Sequence, residues 1–259
     1  MPLPFHRMAA TSLALASLIV LSPTWAQGTP SASNPDIGTV SQDGKKDFSA
    51  AERLLLMSDQ LKGLKPGSTL AYRYQHQGEG DEAFEDRARL TLSKRKNGSC
   101  CTASGEFLSG ARRLQLPEVE QPVGNPVLLY FLERDIRQMN KITKGSASYF
   151  RKRIRMALYE AATLRDVQAS YKGKPVAAQE IILTPFVNDP NEARFPQYVM
   201  RSYRFVLSEA VPGQVVSLQT LTPGARPDAA PLTDDQLTLE GASVPMLQAF
   251  TPVAIRTVQ

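Results

Sequence analysis

Histidine, cysteine, tryptophan and long greasy runs are all scarce in this 259-residue chain, and each scarcity removes a class of function. The two histidines are His6 and His76, the two cysteines Cys100 and Cys101, and the one tryptophan Trp25. The uncharged apolar run from Met8 to Leu21 falls short of the ~20 residues a membrane-spanning helix needs, and no other stretch comes near that length. It follows His6 and Arg7 and precedes SPTWAQ, where Thr24 and Ala26 are the small residues of a processing site. Residues 1–26 are therefore predicted to be a secretory signal cut after Ala26, and the protein to be periplasmic or secreted; an uncleaved amino-terminal anchor is the other reading of the same run.

With His6 in the signal, His76 is the one histidine left. Histidine-rich metal sites, and any Ser-His-Asp triad that does not use His76, are excluded. The chain has no G-x-S-x-G, H-E-x-x-H, C-x-x-C or glycine-rich phosphate loop. His76 shares a strand phase with Tyr72 and Tyr74, which reads as a rim or core histidine with one satisfied hydrogen bond rather than a catalyst. Glu82, Glu85 and Asp86 have the spacing of solubilising surface acids. No catalytic residue, metal ligand or cofactor is assigned, and a hydrolase of unknown type is the third-ranked reading.

What is present is a pattern of elements. Residues 27–46 (QGTPSASNPDIGTVSQDGKK) hold almost no large apolar side chain and read as a flexible tether, leaving 47–259 as one domain. Ser49-Ala50-Ala51-Glu52 fits a capping box, and Leu54, Met57, Leu61 and Leu64 continue it as a helix with one apolar stripe, ended by Gly63 and Pro66-Gly67. From Ser68 the period becomes two: Leu70, Tyr72 and Tyr74, then Ala88, Leu90 and Leu92, alternate with polar residues. Asn97-Gly98 reads as a two-residue hairpin turn in which both positions take positive φ. Leu92 then faces Ala103, Leu90 faces Gly105 and Ala88 faces Phe107, while Arg89 faces Glu106 and Thr91 faces Ser104, matching apolar with apolar and plus with minus.

That register sends Cys101 to the core and Cys100 to solvent. Adjacent α-carbons about 3.8 Å apart lie below the usual 4.4 to 6.8 Å of a disulfide, so the two are expected not to bond to each other. Two readings of the pair stay open: one packed and one exposed thiol, or a reactive Cys100 activated by Lys94, Arg95 and Lys96.

Asn125 caps a second helix with Pro126 in its first position and Leu128, Leu132, Ile136, Met139 and Ile142 or Thr143 at helical spacing. Its start, VLLYFL, is apolar almost all round and must be enclosed on several sides or lie against something apolar that is not protein. A third helix from Ser146 or Ser148 carries Phe150, Ile154, Leu158 and Ala161 inward, antiparallel to the second. Between Glu133 and Arg155 this hairpin holds eight basic residues against two acids. Such a face suggests an anionic partner, a membrane surface or envelope protein, with nucleic acid disfavoured by the compartment; a merely solvated face with Glu133 and Arg137 as an i,i+4 pair is the plain alternative. Strands resume over Asp166–Tyr171, AAQEIILTPF, YVMRSYRFVLSE, QVVSLQTL and QLTLEG, with TPGARPDAAPLTDD as a surface loop and a further strand expected in PMLQAFTPVAIRTV. The fold class is α+β: a curved antiparallel sheet, an open half-barrel, with an amino-terminal helix and an inserted two-helix hairpin on one face.

This element order, the helix start NPVLLYFL between two strand sets and the strand EIILTPF resemble the periplasmic lipoprotein carriers and their outer-membrane receptors over residues 49 to 222. The chain departs from that pattern in its long basic insertion and in the loss of its tryptophan with the signal. The resemblance implies a hydrophobic cavity between sheet and helices that holds acyl chains, with Leu128, Phe131 and Leu132 as lid contacts. The expected function is a non-enzymatic carrier for a lipid-like ligand, lined by Leu128, Phe131, Leu132, Phe150 and Ile154, with Arg151, Lys152, Arg153 and Arg155 at an anionic head group or membrane. The competing class is a ligand-free envelope module that docks a protein through the basic helix pair.

Overall fold

A computed structural model describes residues 47–245 apart from Gly80, Gln115 and Pro227. The signal, the tether and the carboxy-terminal strand expected after Pro245 lie outside the described residues. Among the described residues ten antiparallel strands form one sheet in the order β10-β5-β6-β7-β8-β9-β1-β2-β3-β4. They are Thr69–Gly78 (β1), Asp81–Lys94 (β2), Cys100–Phe107 (β3), Val119–Glu120 (β4), Thr163–Tyr171 (β5), Lys174–Leu183 (β6), Ser202–Leu207 (β7), Val215–Thr222 (β8), Thr233–Leu239 (β9) and Ala242–Ser243 (β10). The helices are Ala50–Glu52 (α1), which winds on as a π turn over Arg53–Met57, then Pro126–Thr143 (α2) and Ala147–Glu160 (α3). The architecture is the α+β class read from the periodicity, with the sheet open and curved.

Curvature follows from connectivity. β10 pairs with β5 yet follows β9 after only Glu240 and Gly241. In a flat sheet those positions would lie five strand spacings, about 24 Å, apart, whereas three residue steps span about 10 Å. The β5 edge must therefore curl back over β9. Tyr72, Tyr74, Leu90, Phe107, Tyr203, Phe205, Leu218 and Leu237 are fully buried and share one strand phase, which forms the helix-facing side.

Local expectations fail where winding or turn type differs. The capping box forms, Ser49 Oγ accepting from Glu52 N at 3.1 Å and Ser49 N donating to the Glu52 carboxylate at 3.0 Å. The following turn is π-wound, which brings Leu55 inward and leaves Met57 exposed, and the helix ends there rather than at Gly63. The β2–β3 register matches the reading at all five paired positions. The loop, however, has three residues: Arg95 N donates to Ser99 O at 3.0 Å, Gly98 alone takes a positive φ, and Lys94 pairs with Cys100. A three-residue loop with glycine in the left-handed position shifts the pairing by one and leaves a bulge. Inside that bulge Cys100 and Cys101 are joined by a disulfide across a cis peptide, so the expectation of two separate thiols is corrected. Cys101 is buried and Cys100 exposed, as the strand phase required. Of the alternatives Ile142 or Thr143, Thr143 is half-buried and Ile142 exposed; Ala161, expected inward, is exposed, and Val199 caps a 3-10 turn before β7 rather than joining the strand.

Candidate functional site

The long helix α2 is held to the sheet at two places with different chemistry. At its start, buried Asn125 makes four contacts. Its side-chain oxygen caps Val127 N at 3.2 Å. Its amide nitrogen donates to Tyr72 Oη at 2.8 Å and to Gly213 O at 2.9 Å, and its backbone N–H donates to Gln60 Oε1 at 2.7 Å. One capping residue thus ties α2 to β1, to the β7–β8 turn and to the segment after α1. Gly213, in the left-handed region at φ 72°, packs so closely that a Cβ there would lie 2.3 Å from Leu70 and 2.8 Å from Asn125 Nδ2.

Two turns on, Arg134 and Asp135 enter a charged seam. The Asp135 carboxylate accepts from Arg201 Nη2, from Arg201 Nε at 3.3 Å and from Tyr203 Oη at 2.5 Å. Arg201 uses its remaining donors on Thr220 (3.0 Å), Thr222 (2.6 Å) and Thr233 (2.8 Å). All five guanidinium N–H groups are engaged, which is what permits a side chain only 3% exposed to stay charged there. Burial lowers the Arg201 value, but the facing carboxylates of Asp135 and Asp235 raise it overall. Beside this pair, Asp235 accepts from Tyr74 Oη at 2.5 Å, from His76 at Nδ1 at 2.6 Å and from Arg134 Nη1 at 3.1 Å. Burial pushes its carboxyl up, but the His76 hydrogen bond, the Arg134 charge, the Tyr74 hydroxyl and the Arg201 charge outweigh it and hold the group at about 2. Burial and the same carboxylate push the Tyr74 phenol well above its ordinary value. Arg134 also lies over the Tyr74 ring at 4.7 Å.

Between the two attachments lies the apolar start of α2. Val127, Leu128, Tyr130 and Phe131 are buried and Leu132 half-buried, while Leu129 is 56% exposed. Phe150 and Ile154 of α3 are buried as well, Phe150 inside an aromatic cluster with Tyr149, Phe186 and Phe195. These residues fill the space beneath the roof with the molecule's own side chains. Tyr130 stands out: its hydroxyl is buried and makes no hydrogen bond, and its ring lies so close to Gly105 that a Cβ there would be 2.2 Å away. Two open clefts, of about 850 and 420 Å³, lie elsewhere. The larger is lined by Arg73, Arg87, Thr238 and Glu240 on the reverse face of the sheet, and the smaller by the β5–β6 hairpin and Val244-Pro245.

The basic residues of the helix hairpin divide into two groups. Glu133 takes Arg137 at 2.9 Å and Arg151 at 2.8 Å, and fully buried Asp189 takes Arg153 at 2.6 Å. Among the described residues Lys141, Lys144, Lys152 and Arg155 have no carboxylate partner and all are exposed. His76 sits with Asp235, its side chain only 9% exposed, and the seam around it was invisible in sequence order, since Asp135, Arg201 and Asp235 carry no shared motif. The one local signal was a lone Asp on an otherwise inward-facing helix stripe. Among the described residues no group of three or more His, Cys, Asp or Glu side chains could hold a metal ion, and no helix is long and apolar enough to cross a membrane.

No family model matches the chain, and no curated protein sequence does. Among solved structures, the Mycobacterium tuberculosis lipoprotein LppX is similar at 11% identity with a TM-score of 0.31, covering 76% of this chain and 95% of its own. MucB is similar at 13% identity with a TM-score of 0.29, covering 75% of this chain and 61% of its own. Likenesses this remote bear on neither the residues nor the ligand of this chain.

Proposed function

We propose that residues 47–259 form a periplasmic binding or carrier domain for an amphiphilic, lipid-like ligand, and that α2 is a roof that lifts to admit it. The observation that carries this reading is the roof itself: an apolar helix start pressed on a concave sheet, pinned at its two ends by polar contacts, with the Tyr130 hydroxyl buried between them and unpartnered. A buried hydroxyl without a hydrogen bond costs about 1–3 kcal/mol, and a ligand head or ester oxygen would relieve it. Lifting α2 uncovers Val127, Leu128 and Phe131 at a cost of about 5–9 kcal/mol. Only a ligand that restores apolar burial holds it open, which selects acyl chains over polar solutes. Leu128, Phe131, Leu132, Phe150 and Ile154 are the proposed acyl contacts, and Arg151, Lys152, Arg153 and Arg155 the proposed head-group or membrane contacts.

Organic extraction of protein purified without detergent, followed by mass spectrometry, tests the reading; a stoichiometric amphiphile is expected. An empty chain that also fails to take up a dansyl-labelled fatty acid would remove it. A second reading, an envelope module docking an anionic protein or membrane surface, draws on the four uncompensated cations Lys141, Lys144, Lys152 and Arg155. It expects salt-sensitive sedimentation with anionic vesicles or a pulled-down envelope protein, lost in Lys152→Glu/Arg155→Glu.

A further inference from the structure

The only two cysteines of the chain take no part in the seam or the roof. Their bond closes no loop, because no residue lies between them, so the unfolded chain is hardly constrained by it. Stabilisation is therefore a poor account of the pair. Access is asymmetric: Cys100 is exposed and Cys101 is 7% exposed. Lys94 is the cross-strand partner of Cys100, and Lys96 on the loop is exposed, so a thiolate approaching Cys100 meets positive charge.

The position also matters mechanically. The Cys101 carbonyl accepts the N–H of Gln121 at 2.9 Å, and the next two pairs, Thr102 with Glu120 and Ala103 with Val119, make the ladder of β4, beside the Arg95–Glu120 ion pair at 3.0 Å. Gln121 is held at φ 51°, a left-handed conformation that costs a non-glycine residue roughly 1–2 kcal/mol. Three residues later comes Gly124 and then Asn125, the cap that pins α2.

We propose that Cys100–Cys101 is a thiol–disulfide exchange site for a dithiol reductant, and that its opening loosens β4 and the start of α2. A thiolate of the reductant attacks Cys100 Sγ. The sulfur–sulfur bond breaks, its electron pair leaves on Cys101 Sγ, and that sulfur takes a proton. The second thiolate of the reductant then attacks its own sulfur in the mixed disulfide, releasing Cys100 as a thiolate that is protonated in turn. The protein gains two electrons and two protons, and the reductant becomes a disulfide. Once separate, neighbouring strand residues turn to opposite faces. The hairpin end is then free to pair Lys94 with either cysteine, and a one-residue slip re-aims the carbonyl that holds Gln121.

The test uses the intact chain. Its mass without reductant is expected to be lower by two hydrogens than after dithiothreitol. Reduced Cys101→Ser incubated with glutathione disulfide is expected to gain one glutathione on Cys100, and Cys100→Ser to gain none while folded. Amide exchange of residues 119–125 is expected to speed about tenfold or more on reduction while β6–β8 stay protected, and the double serine variant to match the reduced protein and ignore dithiothreitol. Two free thiols in the purified chain, equal labelling of both single variants, unchanged exchange at 119–125, or uniform acceleration throughout would each overturn the proposal.

Discussion

Glu133 and Asp135 stand two residues apart on α2, both bound to arginine, in surroundings that give the same chemistry opposite consequences. Glu133 lies at the solvent edge and shares Arg137 and Arg151, whose side chains are about half exposed at 53% and 49%. Asp135 and Arg201 are each 3% exposed, with every donor of the guanidinium spoken for. Water screens the first set, so it gains little. The second has surrendered its hydration and depends on complete pairing, so losing one partner strands a buried charge. The outer pairs decorate the helix and the inner one decides where it sits.

The contrast can be broken at its inner end first. Arg201→Met is expected to cost about 3–5 kcal/mol in urea unfolding, whereas Arg201→Met/Asp135→Leu recovers part of that loss, because no charge is left buried, although the Tyr203 hydroxyl and the three threonines each lose a partner. A double variant as unstable as the single one would show that shape rather than charge governs the seam.

Next in size is the pH response of Asp235. Its folded value of about 2 lies below the ordinary 3.8, so it adds stability above that ordinary value and loses it as pH falls through about 2. About 2–3 kcal/mol is expected to disappear progressively between roughly pH 5 and pH 1. Asp235→Asn flattens that part of the profile, and the same slope in wild type and variant would rule the linkage out.

Smaller and of opposite sign is Tyr130→Phe, which removes the unpartnered hydroxyl and keeps the ring against Gly105. It is expected to raise the unfolding free energy by about 1 kcal/mol and, on the lipid reading, to weaken uptake of the fatty-acid probe; destabilisation would mean that the hydroxyl is satisfied in solution. Smallest is Glu133→Ala, expected to shift stability by less than about 1 kcal/mol, with a larger loss making the outer pairs structural after all.

Much of the fold was legible because its causes are local. Ser49 with Glu52, Asn125 before Pro126, and the match of apolar to apolar across Ala88–Phe107 each need only a few neighbours. The hairpin shows the limit of that reading. Asn-Gly fits both a two-residue and a three-residue loop, and the choice moved the cysteines by one register step and allowed them to bond. The π turn after Glu52 was hidden for a similar reason, since Leu54, Leu55, Leu56 and Met57 offer an apolar side chain to any winding. The seam was the least legible part. Asp135 and Arg201 are 66 residues apart and Arg134 and Asp235 are 101 apart, and nothing in either stretch marks one for the other. The basic run read as a uniform patch, yet Arg134 pairs with Asp235, Arg153 with Asp189, and Arg137 and Arg151 share Glu133.

The order of residues by itself settled the periods, the caps and the inward faces, since strand alternation and helix ends answer to side chains a turn or a hairpin away. Which buried charges meet, how far the sheet curls to let β10 reach β5, and which cations stay free were decided only when distant strands closed on α2. Such contacts depend on long-range geometry and on the desolvation that comes with it, and neither exists until the chain is folded.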